Sequence, residues 1–280
     1  MAKTQLTDAQ IKSKIIANAQ SKPATAEQSL FPTEIVPLPS KGLVYPKDNP
    51  LSSGEVEVRY MTAKDEDILT NQNYLKKGVA LDKLYESIVV GNGQGQPVDI
   101  NEMIVGDRSA IMLAARVLGY GSDYTIEVEH PVTGKKFPYT VDLNQLKPRP
   151  IDESLYNNSR EFEFELPVSK KVVVFKLQTA RDSKTIDRKI EAIEKAGGNQ
   201  RNTTTMLKEV IVSVDGNNEQ QFINDFVDNY LLAKDSLLLR KQIIDLTPDY
   251  DLTVQVNAPE EDYQGEVIMP IDLQFFWPRL

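Results

Sequence analysis

The sequence predicts an α+β protein built from two copies of one unit, in which a strand, a helical bundle and a β-hairpin follow one another. Three observations predict it. An alternating strand runs into a helix cap twice, a long helix with similar apolar spacing follows twice, and a hairpin closes each copy. Residues 51–143 and 168–273 hold the two copies. Because the copies share apolar positions and no reactive side chain, the pattern is typical of an architectural protein.

Each copy opens with alternating apolar residues, at 56–60 (VEVRY) and 173–177 (VVFKL). The strands run into Thr62-Ala63-Lys64-Asp65 and Thr179-Ala180-Arg181-Asp182. Thr followed by an acid three residues later is a capping box, in which each side chain satisfies a free backbone N–H of the other residue. Both sequences therefore predict the start of a helix directly after a strand.

The other elements follow from apolar periodicity. The first copy predicts a strand at 55–61, helices at 63–77, 81–90 and 100–119, and a hairpin of 123–130 with 136–143. The second predicts strands at 160–166 and 171–178, helices at 181–196, 203–213 and 219–246, the last with a break near Ala233, and a hairpin of 250–257 with 265–273. Asp107 and Asp235 recur near the start of the last long helix of each copy, which predicts a shared structural task such as capping.

Three domains are expected: an N-terminal helix, tether and docking arm at 1–50, a first α+β unit at 51–148, and a second unit with an aromatic tail at 149–280. Residues 6–20 favour a short helix that either frays or docks on a neighbour. Residues 21–33 have the composition of a flexible connector. Residues 34–50 contain four prolines and no regular period, which favours an extended arm.

Partner docking is expected at apolar positions of the N-terminal region and at the aromatic tail. An aromatic group at a terminus is more often buried cover than a ligand site, and it equally suits contact with a partner subunit. The residues expected to dock are Ile11, Ile15, Leu38, Leu43, Tyr45, Phe275, Phe276 and Trp277.

The composition argues against several kinds of chemistry. A net charge of -9 without a dense basic face argues against nucleic acid as a partner. There is no cysteine and one histidine, His130, so thiol chemistry and histidine-rich metal sites are excluded. No apolar run is long enough to cross a membrane. The Gly-rich stretch 91–95 is interpreted as a helix C-cap and loop, because a phosphate loop would follow a strand and open a helix. We therefore expect no cofactor, no metal and no catalytic residue.

The acidic run Asp65-Glu66-Asp67 lies at a predicted helix start, where acids complement the helix dipole. Arg59, Arg108 and Arg116 are candidates for ion pairs with the recurring acids, because arginine satisfies a carboxylate with two parallel hydrogen bonds.

Three groups of short motifs resemble the baseplate protein family of T-even contractile-tailed bacteriophages. They are Leu38-Pro39-Ser40-Lys41-Gly42 with Tyr45-Pro46; 58–62 (VRYMT) with Asp65-Glu66 and Leu69; and Gly106-Asp107-Arg108 with Arg116, Gly119-Tyr120-Gly121 and Tyr124. The resemblance is clearest over 35–145. Some relatives carry metal-binding cysteines in the first hairpin, whereas this chain has EHPVTGKK at 129–136, so a zinc role is not expected.

The resemblance implies a structural component of the tail baseplate, in its central hub or in the assembly of that hub. It implies other baseplate and tail proteins as partners, multiple copies in a symmetric assembly, and a place in the virion after assembly in the bacterial cytoplasm. A transient assembly chaperone absent from the mature virion stays open as an alternative. A carboxylate-dependent cell-wall hydrolase is a second alternative, because paired acids are present.

Overall fold

Short antiparallel sheets alternate with helices along the chain, so the predicted α+β class is confirmed. The computed structural model describes residues 31–197, 202–271 and 273–276. The strands are β1 (Thr33–Pro37), β2 (Glu55–Arg59), β3 (Val89–Asn92), β4 (Asp123–Glu129), β5 (Lys136–Asp142), β6 (Glu161–Glu165), β7 (Val172–Lys176), β8 (Ile211–Val214), β9 (Thr253–Ala258) and β10 (Tyr263–Ile268). The α-helices are α1 (Ala63–Thr70), α2 (Gln72–Lys76), α3 (Ala80–Ile88), α4 (Val105–Tyr120), α5 (Ala180–Lys195), α6 (Asn202–Val210), α7 (Gln220–Asp225) and α8 (Ala233–Leu246).

The first sheet has the strand order β1-β2-β3, with β2 in the centre. Its alternate residues Val56 and Val58 point into the core and are fully buried. Strand β1 pairs with β2 from Thr33 opposite Arg59 to Pro37 opposite Glu55. The expected docking arm at 34–50 therefore begins as a sheet strand, and the expected boundary after residue 50 cuts between two paired strands.

Strand β3 is a second difference from the prediction. The helix predicted at 81–90 ends at Ile88, and the chain then becomes extended. The Gly-rich stretch therefore follows a strand rather than a helix, which corrects the interpretation as a helix C-cap. A turn closes it, with Gly95 at φ +76° and its N–H donating to the Asn92 carbonyl. The next α-helix begins only at Val105, so the geometry is a strand and turn.

The second sheet has the same layout, with the order β6-β7-β8 and β7 in the centre. The pairing of β2 with β3 shifts register between Glu57 and Val58, and that of β7 with β8 shifts between Val174 and Phe175. Strand β8 was predicted as the end of a helix, because the run Ile211–Val214 is apolar without a clear period.

Two predicted helices are interrupted. The segment 63–77 forms α1 and α2, because the Asn71 side chain accepts hydrogen bonds from the N–H groups of Asn73 and Tyr74 and caps a new helix. The segment 219–246 forms α7, a π-helix (Phe226–Tyr230) and α8, with the break at 231–232, close to the predicted position.

Both predicted hairpins form, as β4 with β5 and β9 with β10. Gly134 supplies the positive φ of the first reversal. The two hairpins contact each other through the ring of Tyr263, which packs edge-on against Phe137 and His130. Lys135 also pairs with Glu261 across the same contact. The only histidine is thus part of a hairpin contact.

Helix α4 lies at the centre of the molecule and is covered along most of its length. Gly106, in its first turn, lies against the chain that follows α8. A Cβ atom at this position would be 1.8 Å from the Pro248 carbonyl oxygen. Glycine is therefore needed here for close approach of two backbones.

The connection between the two halves is held by backbone pairing near its middle. Pro148 forms a bridge with Tyr250. The Arg149 N–H donates to the Asp249 carbonyl at 2.8 Å, and the Asp251 N–H donates to the Lys147 carbonyl at 3.0 Å. The segment 147–149 is thus bound to the second half.

Candidate docking surfaces

Asp65 holds the first sheet to helix α1. Its carboxylate accepts hydrogen bonds from the Thr62 N–H (2.7 Å) and the Ser87 hydroxyl (2.6 Å), and two parallel bonds from Arg59 (2.8 and 2.9 Å). Burial alone would raise the pKa of Asp65, but these bonds outweigh it and hold the pKa at about 2. The predicted cap and the predicted ion pair of Arg59 are both confirmed.

Asp182 does the same in the second sheet. It accepts bonds from the Thr179 N–H (3.0 Å), from Arg160 (2.5 Å) and from Lys176 (2.9 Å). Burial alone would raise the pKa of Asp182, but these bonds outweigh it and hold the pKa at about 2. These acids are bonded by the protein's own groups in both halves, so their role is to join strand and helix.

Asp107 lies in the first turn of α4 and binds the loop between β1 and β2. It accepts bonds from the Ser40 N–H (2.9 Å), the Ser40 hydroxyl (2.7 Å) and the Tyr45 hydroxyl (2.6 Å). Burial raises the pKa of Asp107 to about 6, since these bonds offset only part of the desolvation and the charge of Asp249 adds to it.

Asp235 takes the same place in α8 and binds the turn between β6 and β7. Its two oxygens accept the N–H groups of Val168 and Ser169, each at 2.9 Å. Burial would raise the pKa of Asp235, but these bonds outweigh it and the pKa is lowered. The two recurring acids thus tether a sheet loop to a helix, which refines the expected capping task.

Arg108 and Arg116 differ from the prediction. Arg108 pairs with Asp82 at 2.6 Å and not with the neighbouring Asp107. The buried Arg116 donates to the carbonyl oxygens of Gly121 (2.6 Å) and Asp123 (2.8 Å) rather than to a carboxylate. It thereby fixes the turn between α4 and the first hairpin.

The residues predicted to dock on a partner lie mostly inside the protein. Leu38 and Tyr45 are each 3% exposed, and Leu43 packs against the core. Phe275 is buried with its ring 5.0 Å from that of Tyr124, and Phe276 is buried beside it. In this conformation these five side chains are occupied by the chain's own core. Ile11, Ile15 and Trp277 lie outside the described residues.

The two halves meet at a short antiparallel backbone contact, which we call the internal junction (residues 101–105 with 178–181). The Val105 N–H donates to the Gln178 carbonyl at 3.0 Å, and the Ala180 N–H donates to the Met103 carbonyl at 2.9 Å. Arg181 adds ion pairs to Asp99 (3.0 Å) and Glu102 (2.9 Å). Ile104 is fully buried there.

An apolar face is open to solvent on the second half. We call it the α8 face and define it by Leu237 and Ile244. Leu237 and Ile244 are 57% and 58% exposed and lie seven residues apart, hence on one side of α8. Large apolar side chains that are exposed together on one side of a helix indicate a protein–protein contact.

A second candidate surface is a groove of about 330 Å³ beside the edge strand β1. Apolar residues of β1, α4 and the segment after β5 line it, among them Ile35, Val117 and Leu146. In the part of the chain that the structure describes, no three metal-ligating side chains gather at one point. No helix of those residues is both long and apolar enough to pass through a lipid bilayer.

The family model described as "T4 bacteriophage base plate protein" matches residues 44–276, more than four-fifths of the chain. The chain belongs to this family. No curated protein and no solved structure matches it. The predicted resemblance is confirmed, and the match extends beyond the first unit to both hairpins and α8. Membership in the T4 base plate family supports a structural role in a bacteriophage baseplate, a location in the virion tail and contacts with other tail proteins.

Proposed function

We propose that this protein is a structural component of a contractile-tailed phage baseplate, in its hub region or in the assembly of that hub, and acts by burying surface against other baseplate proteins. The match of the T4 base plate family across both halves carries this proposal. The open α8 face supports it, because it offers apolar area that the described residues do not cover.

We also propose that the two halves are copies of one ancestral unit and that the first unit begins at β1. The support is a shared series of features. Both sheets have the same strand order and the same place for the register shift. Both have a Thr-x-x-Asp cap after the central strand, and in both the third residue of the long helix is an acid that binds a loop of the sheet.

The proposed role needs no catalysis. The acids in the first turns of α1, α4, α5 and α8 are each bonded by the protein's own groups, and each bond joins two elements of the fold. A cell-wall hydrolase would instead need two carboxylates facing a bound sugar. A zymogram on peptidoglycan tests this point, and clearing by the purified protein would overturn the non-enzymatic role.

The N-terminal residues 1–30 and the tail residue Trp277 stay predicted docking elements, in an assembly that contains several copies of the chain. Deleting 1–30 leaves β1 intact, so it removes only the predicted helix and tether. We expect the shortened protein to fold with unchanged thermal stability and to enter phage particles less often. Unchanged incorporation would contradict docking by this segment.

The alternative is a chaperone that holds a tail protein in the host cytoplasm and leaves before maturity. Quantitative mass spectrometry of purified virions separates the two roles, with a major tail protein as the reference. A structural component should be present in a fixed ratio to that reference. Its absence from virions, together with its presence in assembly intermediates, would favour the chaperone.

A further inference from the structure

The internal junction uses one edge of each half, and the matching edges at the other ends of the molecule are open. In the proposed equivalence of the halves, Thr179 corresponds to Thr62 and Ile104 to Leu232. The backbone supports this pairing. Thr62 and Thr179 both precede a helix with ψ near +170°, and Ile104 and Leu232 have φ, ψ of -64°, 154° and -66°, 145°.

The hydrogen-bonding groups of the open edges match those of the junction. Ala63 N–H and Met61 carbonyl correspond to Ala180 N–H and Gln178 carbonyl. Among the described residues, neither group forms a backbone hydrogen bond outside its own element. Buried donors and acceptors of this kind are nearly always paired, whereas open ones await water or a partner.

The opposite edge has the complementary set. Leu231 carbonyl and Ala233 N–H correspond to Met103 carbonyl and Val105 N–H, and in the described part of the chain they too lack a backbone partner outside their own element. The side chains differ in the same sense. Ile104 is fully buried in the junction, whereas Leu232 is 46% exposed. The edge at Ile104 is thus covered in the first half, whereas the corresponding edge at Leu232 is open in the second half.

Charge follows the same arrangement. At the internal junction the basic Arg181 meets the acids Asp99 and Glu102. At the open edges Lys64 has the place of Arg181, and the facing edge carries Asp225 and Asp228 just before Tyr230, with Asp228 also paired with Lys208 at 2.6 Å. Opposite charges on complementary edges favour encounter in one orientation.

We propose that copies of this chain associate head to tail, with the 61–64 edge of one copy pairing with the 229–233 edge of the next and the α8 face covered in the contact. The inference rests on the proposed equivalence of the two units. The contact is heterologous, so each pair of copies leaves one edge of each kind open for a further copy. Such a contact produces a ring if the rotation closes and a filament if it does not.

Two substitutions block one edge each without disturbing the fold. Ala63→Pro removes the Ala63 N–H at the first position of a helix, where proline is tolerated, and Thr62 already has the extended backbone that precedes proline. Leu232→Asp places a charge in the proposed contact at a helix N-cap, where aspartate is favoured. Ala63→Ser keeps the N–H, and Val132→Asp places the same charge on an exposed hairpin turn, so these two are the matched controls.

The test is sedimentation velocity of the full chain between roughly 1 and 500 µM, the range of weak to moderate contacts. We expect wild type and both controls to form oligomers in a concentration-dependent way. Each blocking variant alone should weaken association by about tenfold or more, since a buried hydrogen bond is lost or a charge is buried. Thermal unfolding checks that all four variants stay folded.

Mixing the two blocking variants gives the sharpest result. Ala63→Pro keeps an intact 229–233 edge and Leu232→Asp keeps an intact 61–64 edge, so an equimolar mixture should form dimers and nothing larger. A wild type that stays monomeric throughout the range overturns the proposal, as does a mixture that associates no better than its components. Incorporation into phage particles is measured separately. A failure to self-associate would therefore contradict this inference without contradicting the proposed baseplate role.

Discussion

The helices α4 and α8 begin in the same way and end in different surroundings. Both follow an extended residue, both carry an acid at the third position, and both use it to bind a loop of the preceding sheet. Helix α4 is then covered by β1, β2 and the segment after β5 in its own half and by residues 273–276 of the second half, whereas α8 keeps an open apolar face. Position within the molecule, rather than the local motif, therefore decides how much each helix is buried.

The pKa values of the two acids differ although both acids are fully buried. Burial raises the pKa of Asp107 to about 6, whereas hydrogen bonds from a turn lower that of Asp235. The same residue in the same turn of a helix thus has its pKa shifted in opposite directions. Four substitution or pH experiments test the comparison, from the largest expected effect to the smallest.

Gly106→Ala should cost the most, about 3 kcal/mol of unfolding free energy, because its Cβ would collide with the Pro248 carbonyl and two packed backbones must separate. The matching position in α8 is the exposed Lys234, and Lys234→Ala should change stability by less than about 0.5 kcal/mol. Urea unfolding measures both. Equal effects would show that the crowding around α4 is not what distinguishes the two helices.

The pH dependence should differ between the acids. The folded pKa of Asp107 lies above the unfolded value of 3.8, so its stabilisation is full below pH 3.8 and is lost as pH rises through about 6. A shift of this size corresponds to at most about 3 kcal/mol. Asp65 and Asp182 act in the opposite sense, since their stabilisation is present above pH 3.8 and is lost as pH falls towards 2.

The variant Asp107→Asn isolates the first contribution. Relative to this variant, wild type should gain stability on going from pH 7 to pH 4 in urea unfolding experiments. Relative to Asp235→Asn, wild type should keep its stability from pH 7 to pH 4 and lose it below pH 3.8, because the pKa of Asp235 is lowered. Parallel profiles for the two variants would contradict the opposite pKa directions.

At pH 7 the amide substitutions should rank in an unexpected order. Asp235→Asn should cost about 2 kcal/mol, because both Asp235 oxygens accept backbone N–H groups and an amide NH2 would face one of them. Asp107→Asn should cost less, because the Ser40 and Tyr45 hydroxyls can rotate to accept from the new amide. Thermal unfolding at pH 7 ranks them, and a larger loss for Asp107→Asn than for Asp235→Asn would contradict this interpretation.

The smallest effect is expected on the α8 face. Leu237→Ser should change the unfolding free energy by less than about 0.5 kcal/mol, because this side chain is mostly exposed. Leu239→Ser, two residues away and fully buried, should cost about 3 kcal/mol. A large loss at Leu237 would mean that the face is covered within the folded chain.

Local signals in the sequence were enough to predict the helix caps and the hairpins. Thr62 with Asp65, and Thr179 with Asp182, satisfy each other within four residues, so no distant contact is needed. Strand β1 was not predictable in this way. Its apolar residues suit a neighbouring subunit as well as a strand of the same chain, and the distant β2 decides between them.

The interior positions of Leu38 and Tyr45 were not predictable for the same reason. Leu38 and Tyr45 are apolar residues in a proline-containing segment, and only the tertiary position of Asp107 shows that Tyr45 is an interior residue. The α8 face did leave a signal. The run Leu237-Leu238-Leu239 with Ile243-Ile244 is apolar on more than one side, which is wider than the stripe that a single core needs.

The bound connection at 147–149 has a mechanical consequence. Backbone pairing with 249–251 and the internal junction tie the halves at two separate places, so the molecule has no free hinge between them. A load applied to one half passes to the other through these two pairings and through the contact between the hairpins. The protein should therefore transmit a displacement from one half to the other without bending between them.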